Sequence, residues 1–184
     1  MSITKNIPLN DKQPKVYSVW SKNDEVRITS TSGGAFWEIA EKFLDNGGVV
    51  AGSRYREDWK SAEHIIAKNK QELLQIKGSK YFQSDTAGIY KQVKKELEKG
   101  KKVLFCGTPC QIAAIKSFLG NENENLYCMD FICRSINSPK AFKAYIEELE
   151  TIYQSKVVEV HLKNKKMDGK VWLQKYDLRM VRNL

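Results

Sequence analysis

The sequence predicts an α/β fold: a mixed, largely parallel sheet flanked by helices, with a C-terminal β-hairpin. Three observations carry that prediction. Short β-branched and aromatic runs at Val49–Gly52, Val103–Phe105 and Leu126–Ile132 have the length of buried strands. Between them lie stretches whose apolar residues recur every three or four positions, the helical period; strands that alternate with such helices ask for a mainly parallel sheet. Finally, 41% hydrophobic residues in a chain of 184 suffice for one core. Residues 16–184 are therefore expected to form a single domain behind a loose polar lead-in, residues 1–15, that carries Pro8 and Pro14.

Taken in order, Val16–Trp20 alternates polar and apolar residues and reads as a strand, with Lys22-Asn23-Asp24 as the turn after it. Ser30–Gly34 is a polar, glycine-bearing loop that opens onto a helix whose inner stripe is Ala35, Phe36, Ile39, Ala40, Phe43 and Leu44. Glycines at such a place let the backbone approach a phosphate or flat ring, or serve only as a flexible cap. Asn46-Gly47-Gly48 ends the helix, and a buried strand runs from Val49 toward Tyr55. Ala62–Ala67 is the next strand, with His64 on it as a structural or surface residue. Asn69–Lys77 is a short helix and residues 78–84 a compact connection, in which Lys80 is an anion-contact candidate. Asp85 is set to cap a helix reaching Lys99, with Ile89, Tyr90, Val93 and Leu97 inward.

The most informative stretch is Lys102–Gln111. Val103-Leu104-Phe105 is a buried strand ending near Cys106; Gly107 permits a tight turn, Thr108 caps a helix and Pro109 suits its first position. The helix continues through Ile112, Ile115 and Phe118 until Gly120 stops it. Cys110 thus sits in a first helical turn, where unpaired N–H groups favour a phosphate or a thiolate. It is expected to be the most reactive of the thiols and Cys128 the least; the competing reading is that Cys106 and Cys110 are small buried apolar residues. Leu126–Ile132 carries Cys128 and leads to Cys133. Ser138-Pro139 starts a helix with Phe142, Tyr145, Ile146, Leu149 and Tyr153 on one face, and Lys156–Leu162 and Lys170–Leu178 form the closing hairpin around residues 165–169. His161, on the first of these strands, is solvent-facing or structural. Cysteines at two strand ends predict a site at the carboxyl edge of the sheet.

Composition narrows the function. The four cysteines cluster centrally in a chain with no apolar leader or membrane-span pattern, so a reducing cytoplasmic location is expected, with the thiols buried, redox-active or metal-ligating. The net charge of +9 suits an anionic cofactor or an acidic partner. Nucleic acid is not expected, because no recognition motif accompanies the charge. Thiol phosphatase chemistry is excluded, since Ile112 stands where an arginine would follow Cys106.

Ser32-Gly33-Gly34, Gly78-Ser79-Lys80-Tyr81 with Gln83-Ser84, Gly107-Thr108-Pro109-Cys110-Gln111, and Ile132-Cys133 followed by Ser138-Pro139-Lys140 resemble, in this order, the coenzyme F420 hydrogenase/dehydrogenase beta-subunit family. The resemblance implies an oxidoreductase subunit or fragment: an α/β flavoprotein with FAD and an iron–sulfur cluster. Such a protein passes reducing equivalents between a small-molecule hydride carrier and one-electron centres, with a redox partner protein or subunit. By carry-over, Ser32, Gly33, Gly34, Lys80, Gln83, Ser84, Gly107, Thr108 and Gln111 line the flavin pocket. Cys110 and Cys133 are the cluster ligands, with Cys106 and Cys128 ranking behind them; no catalytic residue is assigned. A 4Fe-4S cluster takes four thiolates, so in this chain it is expected to be incomplete. The chain departs from the family in having Arg134-Ser135 after Cys133 in place of His-Gly, and in its shorter length. The alternative function is a non-catalytic docking domain that keeps the fold without cofactors.

Overall fold

A computed structural model describes residues 15–162 and 177–182. Six helices and six strands are assigned there: α1 Asp24–Thr29, α2 Ala35–Asp45, β1 Val49–Tyr55, β2 Ala62–Ala67, α3 Lys70–Ile76, α4 Ile89–Glu98, β3 Val103–Gly107, α5 Pro109–Leu119, β4 Leu126–Asp130, α6 Pro139–Tyr153, β5 Ser155–His161 and β6 Asp177–Arg182. The main sheet has the order β2-β1-β3-β4, antiparallel between β1 and β2 and parallel elsewhere. β5 and β6 form a separate antiparallel pair. The expected mixed, largely parallel sheet is therefore present.

Alternation along β1 and β3 builds a core on each face of the sheet. Val49, Ala51, Val103 and Phe105 meet Ile89, Val93 and Leu97 of α4 and Ile115 of α5. Val50 and Leu104 face the other way, onto Trp37 and Ala40 of α2 and Leu73 and Ile76 of α3. Successive strand side chains point to opposite faces, so continuous apolar runs are what a doubly covered sheet requires. A third cluster joins Ala62 and Phe82 to Ile146 of α6 and Val157, Val160 and Leu162, and so attaches the α6/β5 unit to the end of β2.

Four expectations are corrected. Val16–Trp20 is not a strand: Val16 is 88% exposed and Trp20 59%, and the Ser21 N–H donates to the Gly33 carbonyl at 2.7 Å instead of to a sheet neighbour. Alternation alone makes no ladder without a strand to pair with. The turn expected at residues 22–24 starts α1, because the Asn23 side chain accepts from the N–H groups of Glu25 and Val26. Asp85 does not open α4. Its main chain is bonded to Ala62 and His64 of β2 and its carboxylate accepts from the Ala87 N–H, so the helix starts only after Gly88. β4 stops at Asp130, which pairs with Gly107, the last residue of β3; beyond it β3 offers no further residue to pair with.

The strand opposite β5 is described over Asp177–Arg182; the expected turn at 165–169 and residues 170–176 of the expected strand lie outside the described residues, as do residues 1–14 of the lead-in. Among the described residues no helix is long and apolar enough to cross a membrane.

Candidate functional site

The carboxyl end of β3 is where the motif-bearing segments meet. Residues 78–84 form the bridge between them. On one side, the Ser79 N–H and hydroxyl both lie 3.2 Å from Thr31 Oγ1, which ties this loop to the one holding Ser32-Gly33-Gly34. On the other side, Phe82 pairs with Asn137, and the Asn137 N–H donates to the Tyr81 carbonyl at 3.3 Å, just ahead of Ser138-Pro139. Ser84 then reaches the turn between β3 and α5.

That last contact belongs to a polar chain whose direction the acceptors dictate. The His64 Nε2 lies 3.3 Å from the Cys106 carbonyl, which only accepts, so Nε2 carries the proton. Nδ1 is then an acceptor, and the Ser84 hydroxyl at 3.0 Å donates to it. Gln111 Nε2 donates to Ser84 Oγ at 3.2 Å, while Gln111 Oε1 accepts from the Thr108 N–H at 3.0 Å and closes a capping box at the start of α5. Each link in this run is a donor paired with an acceptor. Burial lowers the His64 pKa, which suits the neutral ring the chain requires. The ring also stacks on Phe105, with centroids 5.6 Å apart.

Ser84, Gly107, Thr108 and Gln111 thus lie together, with Ser84 and Thr108 buried. Gly34 caps α2 at φ +91°, a conformation that favours glycine, while Ser32 and Gln83 are exposed. Lys80 is not aimed outward as an anion contact. Its ammonium lies 2.9–3.2 Å from the carbonyls of Gln75, Ile76, Lys77 and Gly78 and closes the C-terminal end of α3. Burial pushes it down to about 7, against an opposing pull from Cys106.

Cys110 occupies the first turn of α5, exposed, with its Sγ 3.0 Å from Thr108 Oγ1. Cys133 is exposed in the segment after β4, its Sγ 3.9 Å from the Ser135 carbonyl. Cys106, rather than Cys128, is the most shielded thiol, and burial pushes it up to about 11. In the parallel register Cys106 pairs with Met129 and Cys128 with Phe105. Paired residues share a face and consecutive ones alternate, so Cys106 and Cys128 project from opposite faces of the sheet. Among the described residues no group of three or more His, Cys, Asp or Glu side chains is placed to hold a metal ion.

Of the two readings of His64, structural or surface, the structure shows the first, a buried ring hydrogen-bonded through both nitrogens; the two hydroxyls beside it were not foreseen from the sequence. Ser53 pairs with His64 across β1 and β2, and Tyr55 pairs with Ala62. The hydroxyls of Ser53 and Tyr55 are buried and have no hydrogen-bond partner among the described residues. The alternation of Ala62, His64 and Ile66 was the available signal, because it puts the imidazole on an inward-facing position.

Two family models match this chain. The coenzyme F420 hydrogenase/dehydrogenase beta subunit N-term model covers residues 16–91, and the corresponding C-terminus model covers residues 100–181. Among solved structures, the chain is similar to one from the F420-reducing NiFe hydrogenase complex of Methanosarcina barkeri, with TM-score 0.58 and 15% identity. The likeness covers 78% of this chain and 52% of that one, so this chain spans about half its length. At that identity the likeness is one of fold. No curated protein matches the sequence.

Proposed function

The chain belongs to the coenzyme F420 hydrogenase/dehydrogenase beta-subunit family, and from that premise we propose that it is an oxidoreductase subunit holding FAD at the carboxyl end of β3. The observation that carries this reading is the convergence of the loop at 30–34, the connection at 78–84 and the turn into α5 on one edge of the sheet. In open α/β sheets ligands bind at this edge. Pro109 and Cys110 are exposed at the start of α5, beside the His64–Ser84–Gln111 chain, and this accessible helix N-terminus fits a polar cofactor there.

In this proposal Cys110 supplies the main-chain N–H that the first turn of α5 offers a phosphate, since Pro109 has none and the capping box takes those of Thr108 and Gln111. Thr108 and Gln111 hold that turn in shape through the capping box. His64 and Ser84 fix Gln111 from behind, and Lys80 keeps the end of α3 closed beside it. When bound, a flavin exchanges a hydride on one side and single electrons on the other. That pairing would connect a hydride carrier to a redox partner subunit. The residues present do not fit a 4Fe-4S cluster, since Cys106 and Cys128 project from opposite faces and cannot join Cys110 and Cys133 in one ligand set.

The test is an anaerobic titration of the purified chain with FAD, followed by flavin fluorescence and calorimetry. Saturable uptake near one flavin per chain is expected. Absence of binding under native conditions overturns the flavin reading and leaves the non-catalytic docking function in its place.

A further inference from the structure

The two edges of the main sheet differ. β2, at one end of the order, is closed by the chain itself: the Asp85 N–H donates to the Ala62 carbonyl at 2.8 Å and the His64 N–H to the Asp85 carbonyl at 2.9 Å. β4, at the other end, pairs only with β3 among the described residues. The Val103 N–H donates to the Asn125 carbonyl at 2.8 Å, which sets the phase of that parallel ladder. Tyr127 and Met129 then turn their main-chain groups toward β3, while Leu126, Cys128 and Asp130 turn theirs outward. The Leu126 N–H is taken by the Asn123 carbonyl at 2.9 Å. What the edge offers is the Leu126 carbonyl and the N–H and carbonyl groups of Cys128 and Asp130.

Free edges invite pairing, and proteins commonly blunt them with lysine, proline or a bulge. None of these stands on β4. The chain has 31 Lys and Arg residues, yet none lies between Asn121 and Cys133, and no proline does either. The register with β3 is unbroken from Leu126 to Asp130. Large apolar side chains stand open along this edge and just past it: Tyr127 is 43% exposed, Phe131 53% and Ile132 95%. A largely parallel sheet normally covers such residues.

The strand is complementary to itself. Reversed about Cys128, it sets Cys128 against its own image, so that the pair exchanges both main-chain bonds. It also sets Asp130 against Leu126, where the Asp130 N–H meets the free Leu126 carbonyl. Tyr127 then faces Met129 of the second copy, an apolar cross-strand pair that the symmetry repeats. The acidic loop with Glu122 and Glu124 of one copy comes to the end where the other carries Arg134, all three exposed. Lys116 of α5, whose charge acts on Cys128, is itself exposed and long enough to swing away from its image.

We propose that the free edge of β4 is an interface for a second copy of this chain: two β4 strands pair antiparallel about a two-fold axis at Cys128 and join the two sheets into one. The contact is isologous, each copy giving and receiving the same bonds, and it closes on itself. It is independent of the flavin reading, because main-chain groups of β4 and the charges flanking that strand carry it.

Sedimentation velocity on the purified chain over a range of concentrations tests this, with circular dichroism and thermal unfolding of every variant. Wild type should pass from monomer to dimer as concentration rises. Cys128→Pro removes only an outward N–H, leaves the bonds to β3 in place and should be monomeric. Cys128→Lys puts like charges opposite each other at the axis from an exposed position, should be monomeric as well, and decides the matter if the proline variant fails to fold. Arg134→Glu should raise the dimer dissociation constant by about fivefold, the value of the exposed ion pairs lost on both sides of the axis. Adding Glu122→Arg and Glu124→Arg to it should restore the dimer.

A wild type that stays monomeric at every concentration overturns the proposal and leaves the edge to a different occupant. A dimer that survives Cys128→Lys overturns it too, because the contact then lies on another face. Loss of the dimer in the Cys128 variants without recovery on charge exchange overturns the antiparallel register on which the pairing rests.

Discussion

The ammonium of Lys80 faces the carbonyls of Gln75, Ile76, Lys77 and Gly78, groups that a helix end leaves without partners. Lys80→Met removes all of these donors and is expected to lower stability by about 1–3 kcal/mol in urea unfolding. A pH dependence accompanies the change. Burial holds the folded value near 7, below the ordinary 10.5, so between those values the unfolded chain binds the extra proton and stability rises with pH. The neutral amine still has two N–H donors for the carbonyls. Urea midpoints from pH 6.5 to 10 should rise less in Lys80→Met than in wild type; identical slopes would count against the buried lysine as their source. The residue's motif was legible in the sequence but its task was not, because a helix end and a bound anion both attract an ammonium.

At the scale of elements, α3 lies against β1 because position 52 has no side chain. A Cβ at Gly52 would come within 2.5 Å of Ile76 Cγ2, closer than packed carbons tolerate. Gly52→Ala is therefore expected to push α3 off the sheet and cost about 1–3 kcal/mol, the range of overpacked cores. Ile76→Ala, which removes Cγ2, should therefore cost less in the Gly52→Ala background than on its own. A double-mutant cycle in denaturant checks it, and strictly additive effects would refute the contact as the cause. α3 also ends at the Lys80 cap, so the same displacement would disturb the connection that joins the motif-bearing loops. The sequence makes this strand legible through its apolar run, yet the reason for a glycine within it appears only when the helix crossing it is seen.

Across the whole molecule, Glu150 of α6 fastens the α6/β5 unit to the β1–β2 turn. Its carboxylate accepts from Lys60 Nζ at 2.8 Å, from Lys156 Nζ at 3.2 Å and from the Val157 N–H at 3.1 Å. Burial pushes this carboxyl up, but those bonds outweigh it and hold it down to about 2, against an ordinary 4.5. The stabilisation is complete above the unfolded value and is lost as pH falls from about 4.5 toward 2. Glu150→Gln should cost about 1–3 kcal/mol at neutral pH and flatten acid unfolding monitored by circular dichroism over that interval. An unchanged acid transition would show that the junction does not depend on this charge.

What the sequence determined by itself was local. Apolar period distinguished β1, β2 and β3 from α2 and α5, and Gly107-Thr108-Pro109 announced the turn into α5, because caps and tight turns act within a few residues. The tertiary structure decided what those signals could not carry. Val16–Trp20 alternates like a strand but pairs with no strand among the described residues, so it is none. Cys106 and Cys128 look equivalent at two strand ends, yet the register sends them to opposite faces. His64, Ser84 and Gln111 join into one directed chain, and Ser79 meets Thr31, only because β2, the connection at 78–84 and α5 converge. Such contacts depend on which elements become neighbours, and short-range propensity holds no record of that choice.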